Sequence, residues 1–236
     1  MAAGAPIGRA EPYTRTLPPD RREGIRARAL AETPRWYNPW AHLAFPSLVG
    51  IGLIVGALLT LRDPGWHEVG FAAFIWLLSN ATEWRIHKYV LHRRSWPLGV
   101  LFERHTPEHH AIYLRDDMAM RARREFRLVL IPSYGIIAIF ITTFPVPLAL
   151  WAAGLPNLAA IYVAVSMAYV VSYEWLHLSY HLPADSLIGR LGIVRVLRRH
   201  HARHHTPELM QRWNFNVTVP LWDWVMGTIY RDTGIG

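Results

Sequence analysis

Cysteine is absent from the 236 residues, so no disulfide, thiolate zinc site or cysteine-ligated iron–sulfur cluster can form within this chain. Charge is scarce: Asp, Glu, Lys and Arg make up 18% of the residues, where about a quarter is usual for soluble proteins. Acidic residues are the rarer sign, 17 against 25 basic, for a formal net charge of +8. No apolar stretch with a small-residue cleavage site follows the first arginines, which argues against a secretory signal. What the chain has in plenty is apolar side chain, 52%, and histidine, with ten of its 13 histidines gathered in four clusters.

The length suits one domain or one membrane bundle. Residues 1–43 read as a flexible basic tail carrying seven arginines. Trp36, Tyr37 and Trp40 close it, where an interfacial belt would stand. Four apolar segments follow, 44–61, 69–84, 128–150 and 158–175, each compared with the roughly 20 residues a span needs. Pro132, Pro145 and Pro147 are expected to kink or end the third. Short turns join the first to the second and the third to the fourth. The predicted fold is therefore all-α: an integral membrane bundle of four transmembrane helices in two hairpins.

Of the 25 basic residues only Arg62 falls on the opposite side of these spans. The positive-inside rule then predicts that both termini and all the histidine clusters are cytoplasmic. The basic excess is accounted for by topology and anionic head groups rather than by nucleic acid. Composition and the lack of a leader fit a bacterial inner membrane. Segments such as 186–199, with Leu187, Leu191, Val194 and Leu197 set against Arg190, Arg195, Arg198 and Arg199, predict amphipathic surface helices that cap the spans.

The clusters are His87 and His92; His105, His109 and His110; His177 and His181; and His201, His204 and His205. Histidines four apart leave a helix on one face. His87 and His92 are five apart, so a π-type turn, or a helix end near His92, is needed to bring both inward. Each half of the chain carries Glu-Trp, a histidine pair and then a cluster ending in His-His, which suggests two similar halves closing on one site. Polar rings at the membrane edge are costly and tend to be functional. Ten imidazoles are too many for one ion and give about five to each of two. Imidazole suits iron, zinc and copper alike, so ligand type leaves the metal open. Glu83, Glu174, Asn214 and Asp223 are candidates to orient the rings by accepting from their free N–H groups. Asp116 and Asp117 read as surface ion-pair or capping residues, and His200 is left outside the ligand set.

Other classes fit less well. A bis-histidine haem protein would place its ligands on facing helices within the bilayer, and a transporter would line a path near the midplane. A zinc-stabilised membrane scaffold without catalysis is permitted by the ligand count.

The four clusters, the apolar spans and the C-terminal N-F-N-V-T-V-P-L-W-D-W-V-M-G-T resemble the fatty acid hydroxylase / sterol desaturase superfamily, over about 79–228. The resemblance implies a membrane-embedded catalytic domain over 44–236 and a cytoplasmic helical cap that holds a dimetal site. It implies two iron ions on His87, His92, His105, His109, His110, His177, His181, His201, His204 and His205, although zinc can occupy such sites on purification. No catalytic residue beyond these ligands is implied. The expected reaction is hydroxylation of an unactivated C–H bond of a lipid, such as a fatty acyl chain, with O2 as co-substrate. Electrons would come from a separate protein, since no cysteine cluster or appended haem or flavin domain is present. Desaturation, or oxidation of a sterol or carotenoid, is the alternative within the same superfamily.

Overall fold

Residues 14–231 are described by a computed structural model, and the regular elements among them are helical apart from one isolated bridge between Leu114 and Asp117. Residues 1–13 and 232–236, with Arg9 of the expected tail, lie outside the described residues.

The expected tail is in part a helix. α1 spans Pro19–Ala31, starting on a proline whose missing N–H costs nothing in a first turn. It packs against the segment around His105–Ile112. Arg26, 5% exposed, pairs with buried Glu125, and Arg22 reaches Asp117 at 2.7 Å. Those acidic partners lie 95 and 99 residues away, beyond the reach of local pattern, whereas Glu23 pairs with Arg26 from one turn earlier at 3.8 Å.

α2 (Pro39–Leu59) is started by Asn38, whose side chain accepts from the N–H groups of Trp40 and Ala41 at 2.9 and 3.1 Å. α3 (Trp66–Ile86) follows after a short turn, with Glu68 accepting from the N–H of Gly65 at 2.8 Å. The third segment is broken as its prolines predict, into α6 (Phe126–Val129), α7 (Ser133–Thr143) and α8 (Pro145–Ala152), after the three-residue α5 (His110–Ile112) and the short α4 (Gly99–Arg104). α9 (Pro156–Tyr180) runs back and packs on α2 and α3. At the far end Asn157 bonds the backbone of Arg62 at 2.8 and 3.1 Å, tying the two hairpins together.

Among the described residues, three helical runs are long and apolar enough to cross a membrane: Pro39–Leu59, Arg123–Ala152 and Pro156–Tyr180. Their outward side chains, among them Phe45, Leu48, Ile137 and Ile141, are bare, an apolar girdle larger than soluble monomers expose. This is the architecture of an integral membrane protein. The expected second span is helical as α3, but Glu68, Asn80, Glu83 and Arg85 keep it out of that apolar class.

The break before Pro132 frees the peptide groups of Ile131 in apolar surroundings, where an unpaired group is costly. Glu174 accepts its N–H at 3.0 Å, and His42 Nε2–H donates to its carbonyl at 3.1 Å. The surface helix expected over 186–199 starts later, as α10 (Gly192–His204). Residues before it form tight turns in which a side chain at Gly189 would meet the Pro183 carbonyl oxygen at 2.5 Å. The last helix is the short α11 (Leu221–Val225).

Candidate metal centre

The ten cluster histidines are buried together, each 9% exposed or less, at the C-terminal ends of α3 and α9. They fall into two groups of five. One joins His87, His92, His105, His110 and His204; the other joins His109, His177, His181, His201 and His205, with one nitrogen from each ring lying within 4.8 Å of the rest of its group. His110 and His205 stack between the groups, ring centroids 4.2 Å apart.

The two halves of the chain are built alike despite their different spacings. In the second half His177 and His181, and His201 and His205, sit four apart, on α9 and α10 and at their ends. In the first half the matching pairs, His87 and His92, and His105 and His110, are five apart. Residues His87–Leu91 and His105–His109 form π turns, in which His92 N–H bonds to His87 O at 3.2 Å and His110 N–H reaches His105 O. At about 100° per residue an α-helix would turn such a pair some 140° apart, whereas an i→i+5 turn stacks them. Each half gives four rings to its own group and one to the other. The ring that crosses is the first of each His-His pair, His109 and His204, because neighbours on a helix diverge by that same 100°.

The ring protons can be placed from their partners. A carbonyl only accepts, so a nitrogen facing one carries the hydrogen. Nδ1 of His87 donates to the Phe215 carbonyl and that of His204 to Trp213 at 2.9 Å. In the second group His109 donates to Leu128 at 2.8 Å, His181 to Met118 at 2.8 Å and His205 to Tyr113 at 2.7 Å, with His177 bonded to the backbone of Val129. The Thr106 hydroxyl gives its hydrogen to the Leu91 carbonyl at 2.7 Å and therefore accepts from His92 Nδ1 at 3.0 Å.

Burial depresses the pKa of these rings. His87 falls to about 3, burial outweighing its carbonyl bond, and His109 to about 4. His92, His105, His110, His201, His204 and His205 also lie well below the ordinary value, through burial first and then neighbouring rings. The rings are neutral, which is the metal-binding form.

A neutral ring with hydrogen on Nδ1 bears a lone pair on Nε2. His92 and His204 aim two such lone pairs at each other across 2.9 Å, and no proton is left to lie between them. Nε2 of His109, His177 and His181 is buried with no partner at all. Bare nitrogen donors converging in two sets of five fit a pair of transition-metal cations, and nothing else among the described residues answers them.

The four residues expected to orient the rings meet none of the ten directly. Backbone carbonyls and Thr106 take the Nδ1 hydrogens of His87, His92, His109, His181, His204 and His205 instead, while Nδ1 of His110 and His201 is buried without a partner. Glu83 accepts from the N–H groups of Val217 and Thr218, from the Thr218 hydroxyl at 2.5 Å and from Tyr169. Asp223 accepts from Phe215 N–H at 3.0 Å, Asn216 N–H at 2.8 Å, Thr228 Oγ1 at 2.7 Å and His200 at 3.0 Å. Burial alone would raise its pKa, but these bonds hold it below the usual value. Asn214, in the left-handed region at φ 59°, donates to the His200 carbonyl at 3.0 Å and accepts from Tyr230 N–H at 2.8 Å. These three fix the 213–218 loop whose carbonyls hold His87 and His204, while Glu174 serves the break at Ile131. His200 lies in neither group. Asp117 pairs with Arg22 and Arg121.

Sequence reasoning missed Asn80, Thr106, Tyr169 and Thr218. Asn80 alone bonds Tyr169 at 2.9 Å, the Val219 carbonyl at 2.8 Å and Trp222 N–H at 2.9 Å. A buried asparagine in an otherwise apolar segment was the one available signal.

A family model described as fatty acid hydroxylase matches residues 72–228, a stretch holding all ten histidines. No curated protein and no solved structure matches the chain.

Proposed function

This chain belongs to the fatty acid hydroxylase family, and from that membership we propose that it is a membrane di-iron oxygenase that hydroxylates an unactivated C–H bond of a lipid. The observation that carries the proposal is the pair of five-histidine groups with converging lone pairs. His87, His92, His105, His110 and His204 would hold one ion, and His109, His177, His181, His201 and His205 the other. Two irons held there would supply activation of O2, with one oxygen atom entering the C–H bond and the other leaving as water, at the expense of two electrons from a separate reductase protein and two protons from solvent.

The chain's own part is placement and shelter. Carbonyls of Leu128, Met118, Tyr113, Trp213 and Phe215 keep the rings in one tautomer, which raises their basicity as ligands. Glu83, Asn214 and Asp223 hold the 213–218 loop still, and Glu174 closes the helix break beside His177. The rings are nearly dry, which protects reactive species from water. The basic residues on the histidine side support a cytoplasmic centre and cytoplasmic termini, α3 completing a four-span bundle in a bacterial inner membrane.

The test is lipid mass spectrometry of cells with and without the protein, looking for a gain of one oxygen, together with metal analysis of protein made in iron-replete cells. His177→Ala and His204→Ala, one from each group, should each abolish the product. Product that survives both substitutions, or a stable zinc pair with no oxygen uptake, would overturn the assignment.

A further inference from the structure

α1 lies outside the stretch matched by the family, yet it walls a cavity of about 820 Å3 that reaches Thr106 and His110. That size falls within the range of roughly 300–1,000 Å3 of ligand pockets. Its buried and half-buried apolar lining includes Ile25, Ala29, Ala111 and Met210. Towards solvent stand Arg15, Arg21 and Arg28, all exposed and with no ion pair among the described residues. The other charges of the wall are largely spent on one another. Glu108 faces Arg127 at 3.4 Å and Arg104 at 4.0 Å, and Glu103 faces Arg94 at 3.2 Å. Glu32 is the one lining carboxylate left unpaired among the described residues, against three guanidinium groups. Three like charges at one mouth repel and favour an anion there, and the guanidinium fork matches the oxygens of phosphate or carboxylate.

We propose that this cavity is a head-group clamp: Arg15, Arg21 and Arg28 hold the phosphate or carboxylate of an alkyl-chain ligand whose tail runs along the apolar lining to His110. That the ligand is also the substrate rests on the oxygenase reading. The clamp itself does not.

The test is equilibrium binding of dodecyl phosphate, dodecanoate and dodecanol to the full chain in a non-ionic detergent. Both anions should bind about tenfold or more tightly than the alcohol, as one charge-assisted hydrogen bond supplies, and salt should erode the difference. The triple variant Arg15→Gln/Arg21→Gln/Arg28→Gln should lower the anions to the level of the alcohol and leave the alcohol unchanged. All three side chains are exposed, and an unaltered melting temperature checks the fold. Equal binding of all three ligands, or a preference for anions that survives the triple variant, would sink the clamp. Competition by phosphatidylglycerol in nanodiscs identifies a bilayer lipid as the source of the anion, and lack of competition identifies a free single-chain anion; both uphold the clamp. Iron-loaded protein that oxidises a lipid without preferring anions refutes this proposal alone. A clear preference in protein that never oxidises one refutes the oxygenase reading alone.

Discussion

Asp223→Asn tests whether the loop after α10 governs one metal group and spares the other. The carboxylate is fully buried and accepts four hydrogen bonds, two of them from the backbone N–H groups of Phe215 and Asn216, one on each oxygen. An amide of the same shape offers one oxygen and one NH2. Whichever way it is turned, its NH2 meets one of those N–H groups, while Thr228 and His200 can reorient. One buried backbone donor is therefore orphaned, costing about 1–3 kcal/mol, and the bonds that remain lose their charge assistance. A loss of about 2–4 kcal/mol in stability is expected. The Phe215 carbonyl moves with its peptide and loosens its hold on His87, and loss of such a partner typically costs roughly 10–100-fold in metal affinity. His177, His181 and His205 are held by carbonyls of other segments, so the second group should load normally. Metal titration with stoichiometry by elemental analysis should show two sites in the parent and one weakened site in the variant. Equal weakening of both sites, or of neither, would refute the chain of causes from Asp223 through Phe215 to His87.

Metal-free protein should lose stability on acidification. The folded rings of His87 and His109 titrate at about 3 and 4, against 6.5 when unfolded, so their contribution is complete above 6.5 and lost as pH falls towards the folded values. At pH 5 each costs about 2 kcal/mol, which thermal melts of the apoprotein between pH 7 and pH 5 would show; a flat profile contradicts neutral rings. Arg26→Ala leaves Glu125 buried without its cation and should cost about 3–5 kcal/mol, read as a lowered melting temperature, whereas Arg26→Leu/Glu125→Leu should recover most of the loss. Gly189→Ala places a methyl against two carbonyl oxygens at 2.5 and 2.9 Å and should cost about 1–3 kcal/mol. An unchanged melting temperature would show that the turn can open.

The elements legible in the sequence were those written in side-chain periodicity and in local breakers. The apolar runs, the interruptions at Pro132 and Pro145, and the π turn at His87 could be read because spacing alone demands them. The ten clustered histidines could be picked out for the same reason. The second π turn, at His105–His109, went unread because the pair four apart, His105 and His109, drew attention away from the pair five apart, His105 and His110. α1 was hidden because its stability comes from Glu125 and Asp117, far along the chain. The partners of the imidazoles were hidden for a deeper reason. They are mostly peptide carbonyls, which every residue possesses, so no side chain marks them. Glu83 and Asp223, expected to accept from the rings, instead accept from backbone N–H groups of the 215–218 stretch, one peptide further away than a direct bond to a ring.

The exchange of His109 and His204 between the groups makes each centre the joint property of both halves. Neither half carries a full set of five on its own, so a fragment ending before α9 is a ligand short at its own centre and has a stray ring left over. Under the proposed assignment, five-donor loading of either centre would report that the two halves have docked, and quality control of the finished fold would be written into the coordination itself.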